Sequence, residues 1–163
     1  MKLNRTAALI AATVMTAATI AATPAQAHNG DHTEGVTITG AWVRASEWSD
    51  HVGGMTGIFA KITNHTNHTV VLVGGNTALA PVVQTHAVAN GMMVEKKGGI
   101  SIKPGATVTL QPGGLHVMLM NLKSAILPGD KFMFQFKFRG AKAQRMVLTA
   151  RVAQAGDETY NNK

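Results

Sequence analysis

Between Val36 and Val152 the chain is cut into short pieces by turn-forming residues, and no stretch keeps the period of a helix. The breaks fall at Asn64, Gly74-Gly75-Asn76, Asn90-Gly91, Gly98-Gly99, Pro104-Gly105, Pro112-Gly113-Gly114 and Pro128-Gly129-Asp130. The pieces between them are rich in Val, Ile, Thr and Phe, which suit a pleated surface. Lys131 to Phe138 has the clearest period of two: Phe132, Phe134, Phe136 and Phe138 share one face, and Lys131, Gln135 and Lys137 share the other. Short strands with Gly/Pro turns predict an all-β domain, an antiparallel β-sandwich or barrel. Strands are expected at 36–44, 55–63, 69–73, 81–88, 92–96, 107–110, 115–122, 131–138 and 145–152, with a short piece between Gly99 and Pro104. The run 115–122 is apolar throughout, as a strand buried on both faces would be.

Residues 1–27 read as a leader rather than as part of the fold. Lys2 and Arg5 form a basic start, an alanine-rich apolar stretch follows from Ala7, and Ala25-Gln26-Ala27 has the small-x-small form of a signal-peptidase site. Cleavage after Ala27 would make His28 the first residue of an exported protein. The expected organisation is a signal peptide at 1–27, a flexible polar segment at 28–35, one domain at 36–152 and a flexible tail at 153–163. No other apolar run is long enough for stable membrane insertion. The formal net charge is +7, but no basic run is interleaved with aromatics, so nucleic acid is a poor partner for this chain.

Cysteine is absent. An exported domain without disulfides must be held by its core. The absence also excludes a thiolate nucleophile, a Cys-based zinc or iron–sulfur site, and a blue-copper centre with its Cys ligand. No Cys stands near the cut to carry a lipid.

Two places concentrate imidazole and thioether groups. In His116-Val117-Met118-Leu119-Met120, alternation puts His116, Met118 and Met120 on one strand face. The other place is the hairpin signalled by Asn90-Gly91, with His86 on one arm and Met92-Met93 on the other. A two-residue turn pairs Ala89 with Met92 and Val88 with Met93. His86 then shares a face with Val88, Met93 and Glu95, while Met92 points away. A loop longer or shorter by one residue would exchange Met92 for Met93. Neutral soft sulfur with borderline imidazole favours Cu(I) over Mg²⁺ or Ca²⁺. The plainer reading of the same residues is core packing, since Met on an apolar strand is usually filler.

The order His86, a methionine shortly after Gly91, Gln111-Pro-Gly-Gly-Leu-His-Val-Met-Leu-Met120 and Leu127-Pro-Gly-Asp130 resembles the PCuAC family of extracytoplasmic copper chaperones. Ala41-Trp-Val-Arg-Ala45 and Met55-Thr-Gly-Ile-Phe59 resemble its opening strands. The likeness spans about residues 36–152 and implies a cupredoxin-like Greek-key sandwich that carries Cu(I). The family's ligand pattern is His, ten residues, Met, twenty-one residues, His-x-Met, which puts His86, His116 and Met118 on ligand positions. At the third position the chain departs from it: six residues separate His86 from Met93, and 22 separate Met93 from His116. A hairpin shortened by four residues keeps the facing of its arms, so Met93 takes the third place, with Met120 as an accessory sulfur. The resemblance also implies delivery toward the copper site of cytochrome c oxidase, either to its copper domain or to a thiol-bearing assembly factor.

Outside this set, His28 and His32 would lie at the processed N-terminus, where an amine and imidazoles offer a second, weaker Cu(II) site; the alternative is a plain polar tail. His51 falls in the loop 46–54, and His65 and His68 flank a turn. Asn64-His-Thr and Asn67-His-Thr match the N-glycosylation pattern, which carries little weight beside a bacterial-looking leader. The expected role is a binding protein and not an enzyme: carboxylates are few and no nucleophile motif is present. The competing roles are a copper-sequestering tolerance protein and a structural sandwich that holds no metal.

Overall fold

The computed structural model describes residues 35–46 and 53–153. Residues 1–34, expected to hold a signal peptide and the flexible segment with His28 and His32, lie outside the described residues, as do His51 and the tail from residue 154. Ten strands form: β1 (Val36–Arg44), β2 (Thr56–Asn64), β3 (Val70–Asn76), β4 (Val82–Ala89), β5 (Met92–Glu95), β6 (Ile100–Ile102), β7 (Thr107–Leu110), β8 (His116–Met120), β9 (Lys131–Arg139) and β10 (Gln144–Arg151). Hydrogen bonding links them in the order β5-β4-β8-β2-β1-β10-β9-β3-β6, with β7 also on β2. The sheet folds back on itself, so that β3 packs against β4 and β8.

The core is made by alternation. Phe134 and Phe136 are fully buried, at the centre of the aromatic face expected for β9, and their rings meet edge to face with centroids 4.8 Å apart. Val43, Ile58, Ile62, Leu72, Val117, Leu119 and Leu148 reach the same interior from the other strands. β8 is buried on both faces along most of its length, as its unbroken apolar sequence predicts.

Two features depart from the sequence reading. First, β1 pairs with β10 in parallel, so the sandwich is not wholly antiparallel. These strands are remote in sequence, and no hairpin fixes their relative direction. Second, Gly74-Gly75-Asn76 does not end β3. The strand continues through a bulge between Leu72 and Gly74 and pairs Gly75 with Phe136. Gly75 is required there, because a Cβ would stand 2.1 Å from the Phe134 ring and 2.6 Å from the Gln135 carbonyl oxygen.

A second bulge shapes the functional face. Thr39 pairs with Lys61 but Trp42 pairs with Phe59, so β1 carries one extra residue. Gly40 takes the left-handed conformation, φ 61°, that this requires. Before the bulge Val36 and Ile38 point inward; after it Val43 does. Without that shift, Trp42 and Arg44 would have continued the inward set.

Asn64 is fully buried and organises the turn after β2. Its amide donates to the carbonyls of His68 and Ile102, and its oxygen accepts from the Thr66 backbone and hydroxyl. The first glycosylation-like triplet is therefore a structural node. His65 and His68 are exposed, as expected of turn residues.

Candidate metal centre

The turn Gln111–Leu115 delivers β8. It is closed by Gln111 N–H donating to the Leu115 carbonyl at 2.8 Å and Gly114 N–H donating to Gln111 at 3.0 Å. Beyond it, Val117 and Leu119 enter the core. His116 and Met118 face the other way, yet each is only 5 % exposed, because neighbouring strands wall them in. On one side β4 sets His86 opposite His116 and Gln84 opposite Met118. On the other, β2 sets Gly57 opposite Met118. A Cβ on Gly57 would lie 2.8 Å from the Phe59 ring, so the missing side chain makes room for that ring beside the site.

The Asn90-Gly91 turn has positive φ at both residues, 52° and 74°, as a two-residue type I′ turn demands. Ala89 pairs with Met92, Val88 with Met93 and His86 with Glu95. Both methionines are exposed, but only Met93 faces the site. Met93, His116 and Met118 meet in an open cleft of about 240 Å³, together with Met55, Val88, Phe59 and Arg44. His86 does not line this cleft. It stands beside it, with its ring centroid 5.7 Å from that of His116. Met120 continues the His116 face one pair further along, opposite Val82, and is not part of the cleft wall.

Hydrogen bonds set the tautomers. His116 Nδ1 donates to the Gly114 carbonyl at 3.0 Å, which leaves the Nε2 lone pair available. His86 Nε2 donates to Gln84 Oε1 at 3.1 Å, and its Nδ1 is buried without a hydrogen-bond partner. Each ring thus has one nitrogen engaged as a donor and the other left without a hydrogen-bond partner among the described residues.

Burial lowers the pKa of His116 below the ordinary 6.5; the Gly114 hydrogen bond opposes this, and the charges of His86 and Arg44 add to the lowering. A neutral buried imidazole favours folding above the unfolded pKa. As pH falls through 6.5 the unfolded chain takes up the proton first, and that stabilisation is progressively lost. The His116 ring resonances of the metal-free protein are therefore expected to titrate below pH 6.5 by NMR. A His116→Gln variant should show a flatter fall in urea midpoint between pH 7.5 and 5.5 than the parent. A titration at or above 6.5 would contradict this.

Aromatic contacts extend the wall. Phe59 lies 6.3 Å from His116 and 4.6 Å from Trp42 between ring centroids. Arg44 sits 5.9 Å from the Phe59 centroid, and Arg151 covers the Trp42 ring at 3.7 Å. Among the described residues no carboxylate lines the cleft, and no three His, Cys, Asp or Glu side chains cluster. A metal held by the described residues would therefore use thioether sulfur. No pattern in the sequence marks Met55, Arg44 or Phe59 as cleft residues. Period-two spacing aligns Met55, Gly57 and Phe59, but their relevance depends on β2 lying beside β8.

The family model described as "Putative lipoprotein LpqE-like" matches residues 36–152. The chain belongs to the LpqE-like family. A relative from Leifsonia xyli subsp. xyli, "Putative lipoprotein Lxx21020", is 30 % identical over 169 residues, covering 97 % of this chain and 99 % of the relative. Among solved structures, the LpqE-like chain is similar to the copper-bound PCuAC domain from PmoF2, with TM-score 0.65 and 20 % identity over 76 % of this chain and 98 % of that one. It is also similar to CuI-DR1885 from Deinococcus radiodurans, with TM-score 0.57 and 23 % identity over 73 % and 81 % of the two chains. The LpqE-like domain thus has the cupredoxin-like all-β fold of PCuAC domains, as its sequence predicted.

Proposed function

We propose that this protein is an extracytoplasmic Cu(I) chaperone. It takes one Cu(I) per chain through Met93, His116 and Met118, with His86 completing the set from its place beside His116. The observation that carries this reading is the convergence of an imidazole and soft sulfurs in a cleft where, among the described residues, no carboxylate stands. The described lining of thioether, imidazole and aromatic groups offers soft donors rather than hard oxygen ligands. A monovalent soft cation suits that surrounding best. The copper held by the PmoF2 domain and the Cu(I) held by DR1885 support the same cargo.

Thioether and imidazole ligands release Cu(I) more readily than thiolates do, which suits a carrier. The recipient in this reading is a copper-accepting protein, such as the copper domain of cytochrome c oxidase or a thiol-bearing assembly factor. The protein acts as a binding module and not as an enzyme. Location outside the cytoplasm is supported by the leader-like residues 1–27 and by the lipoprotein description of the Leifsonia relative. The 163 residues contain no cysteine to which a lipid could be attached. Among the described residues no helix is long and apolar enough to cross a membrane.

The test is competition for Cu(I) against a chromophoric chelator under anaerobic conditions. The expected result is about one Cu(I) per chain, with affinity reduced roughly tenfold or more by Met93→Leu and unchanged by Met92→Leu. Leucine keeps the volume of methionine while removing the sulfur, so packing is largely preserved. Failure of the parent protein to compete would sink the copper reading. Equal effects of the two substitutions would sink the assignment of Met93.

A further inference from the structure

We propose that Met55 supplies a further thioether to the Cu(I) bound in this cleft, an inference that rests on the copper reading. Met55 immediately precedes β2, where Thr56 pairs with Leu119 and Gly57 with Met118. Two residues before Gly57, it belongs to the face that carries Met118. Its side chain lines the same cleft as Met93, His116 and Met118, whereas Met120, the sulfur nearest in sequence to the His116 motif, does not.

The anchoring of Met55 is specific. Its carbonyl accepts from the Ser46 hydroxyl at 3.2 Å, and the neighbouring Thr56 hydroxyl donates to the Arg44 carbonyl at 2.7 Å. Both bonds tie the start of β2 to the end of β1 at the cleft wall. Gly57 contributes no side chain between Met55 and the floor residue Met118. The Met55 side chain itself is 49 % exposed, though large and apolar. Packing alone gives little account of a methionine there, since so much of it stays in water. A soft donor at the mouth of a cleft already carrying two thioethers gives its sulfur a role. With Met55, the cleft presents sulfur from three separate backbone segments around one imidazole: the start of β2, the β5 arm of the hairpin, and β8. His86 then stands as the neighbouring imidazole rather than as a wall residue.

The experiment compares the full-length parent chain with Met55→Leu and Met120→Leu variants, using Cu(I) alone as the probe. Chelator competition gives affinity, and copper X-ray absorption of the loaded proteins gives the ratio of sulfur to nitrogen scatterers. The expected result for Met55→Leu is an affinity loss of about tenfold and one fewer sulfur around copper, with Met120→Leu indistinguishable from the parent. An unchanged sulfur count and affinity in Met55→Leu overturns the proposal while the copper reading stands on the parent's own uptake. A parent that takes up no Cu(I) overturns both. Circular dichroism of the metal-free variants should match the parent, since an exposed Met→Leu exchange leaves the core intact.

Discussion

His116→Ala is expected to weaken Cu(I) binding by roughly 100-fold, about 2.7 kcal/mol. The substitution removes the imidazole that lines the cleft among the described residues, and with it the nitrogen whose free lone pair is fixed by the Nδ1 bond to Gly114. It also leaves a void on a buried strand and strips the Gly114 carbonyl of its partner, so some loss of stability will accompany it. Met118→Leu separates the two effects. Met118 is 5 % exposed, and leucine replaces it at nearly equal volume, so the metal-free fold should melt within a few degrees of the parent. Its Cu(I) affinity should nevertheless fall by about tenfold or more, because only the sulfur has gone. Anaerobic chelator competition and a thermal melt on the same samples read both quantities. Parent-like binding in both variants would place the copper elsewhere on the chain.

The largest expected effect on stability lies in the other half of the molecule. Phe134→Ala should cost about 3–5 kcal/mol and lower the melting temperature by roughly 10–20 °C. Phe134 is fully buried, meets Phe136 edge to face, and fills the space that Gly75 leaves in the bulged end of β3. No neighbour can collapse into that space easily, because the β3 backbone is held to β9 on both sides of the bulge. The cleft is built from β1, β2, β4, β5 and β8, so copper uptake at low temperature should survive in this variant. A melting temperature within a few degrees of the parent would contradict this account of the core.

What the sequence made legible was local. Asn90-Gly91 specifies a turn, the turn specifies the register, and the register decides between Met92 and Met93; every step involves adjacent residues. The aromatic face of β9 and the shared face of His116 and Met118 follow from alternation within one strand. What it left hidden depends on contacts between distant strands. Met55 matters only because β2 lies beside β8, and the parallel pairing of β1 with β10 joins opposite ends of the chain. Gly74-Gly75 has the composition of a turn. It runs on as strand, with the Phe134 ring in the space a side chain at Gly75 would have filled and the Val83 carbonyl close to Gly74. His86 fell in the expected pairing with Glu95, but its separation from the cleft wall is a matter of side-chain placement, which no residue pattern encodes.

The extra residue in β1 makes the wall of the cleft sensitive to reading frame. Its first half and second half obey opposite parities, and Gly40 is where the parity changes. A deletion of one residue at 40–41 would take out the bulge itself and leave Ile38 and Val43 on one inward face by plain alternation. Straightening β1 with every residue kept would do the opposite, turning Trp42 and Arg44 inward and Val43 outward, and would bury a charge. The wall of the cleft therefore rests on the left-handed turn at Gly40, which lets the extra residue be carried without changing which side chains face the core.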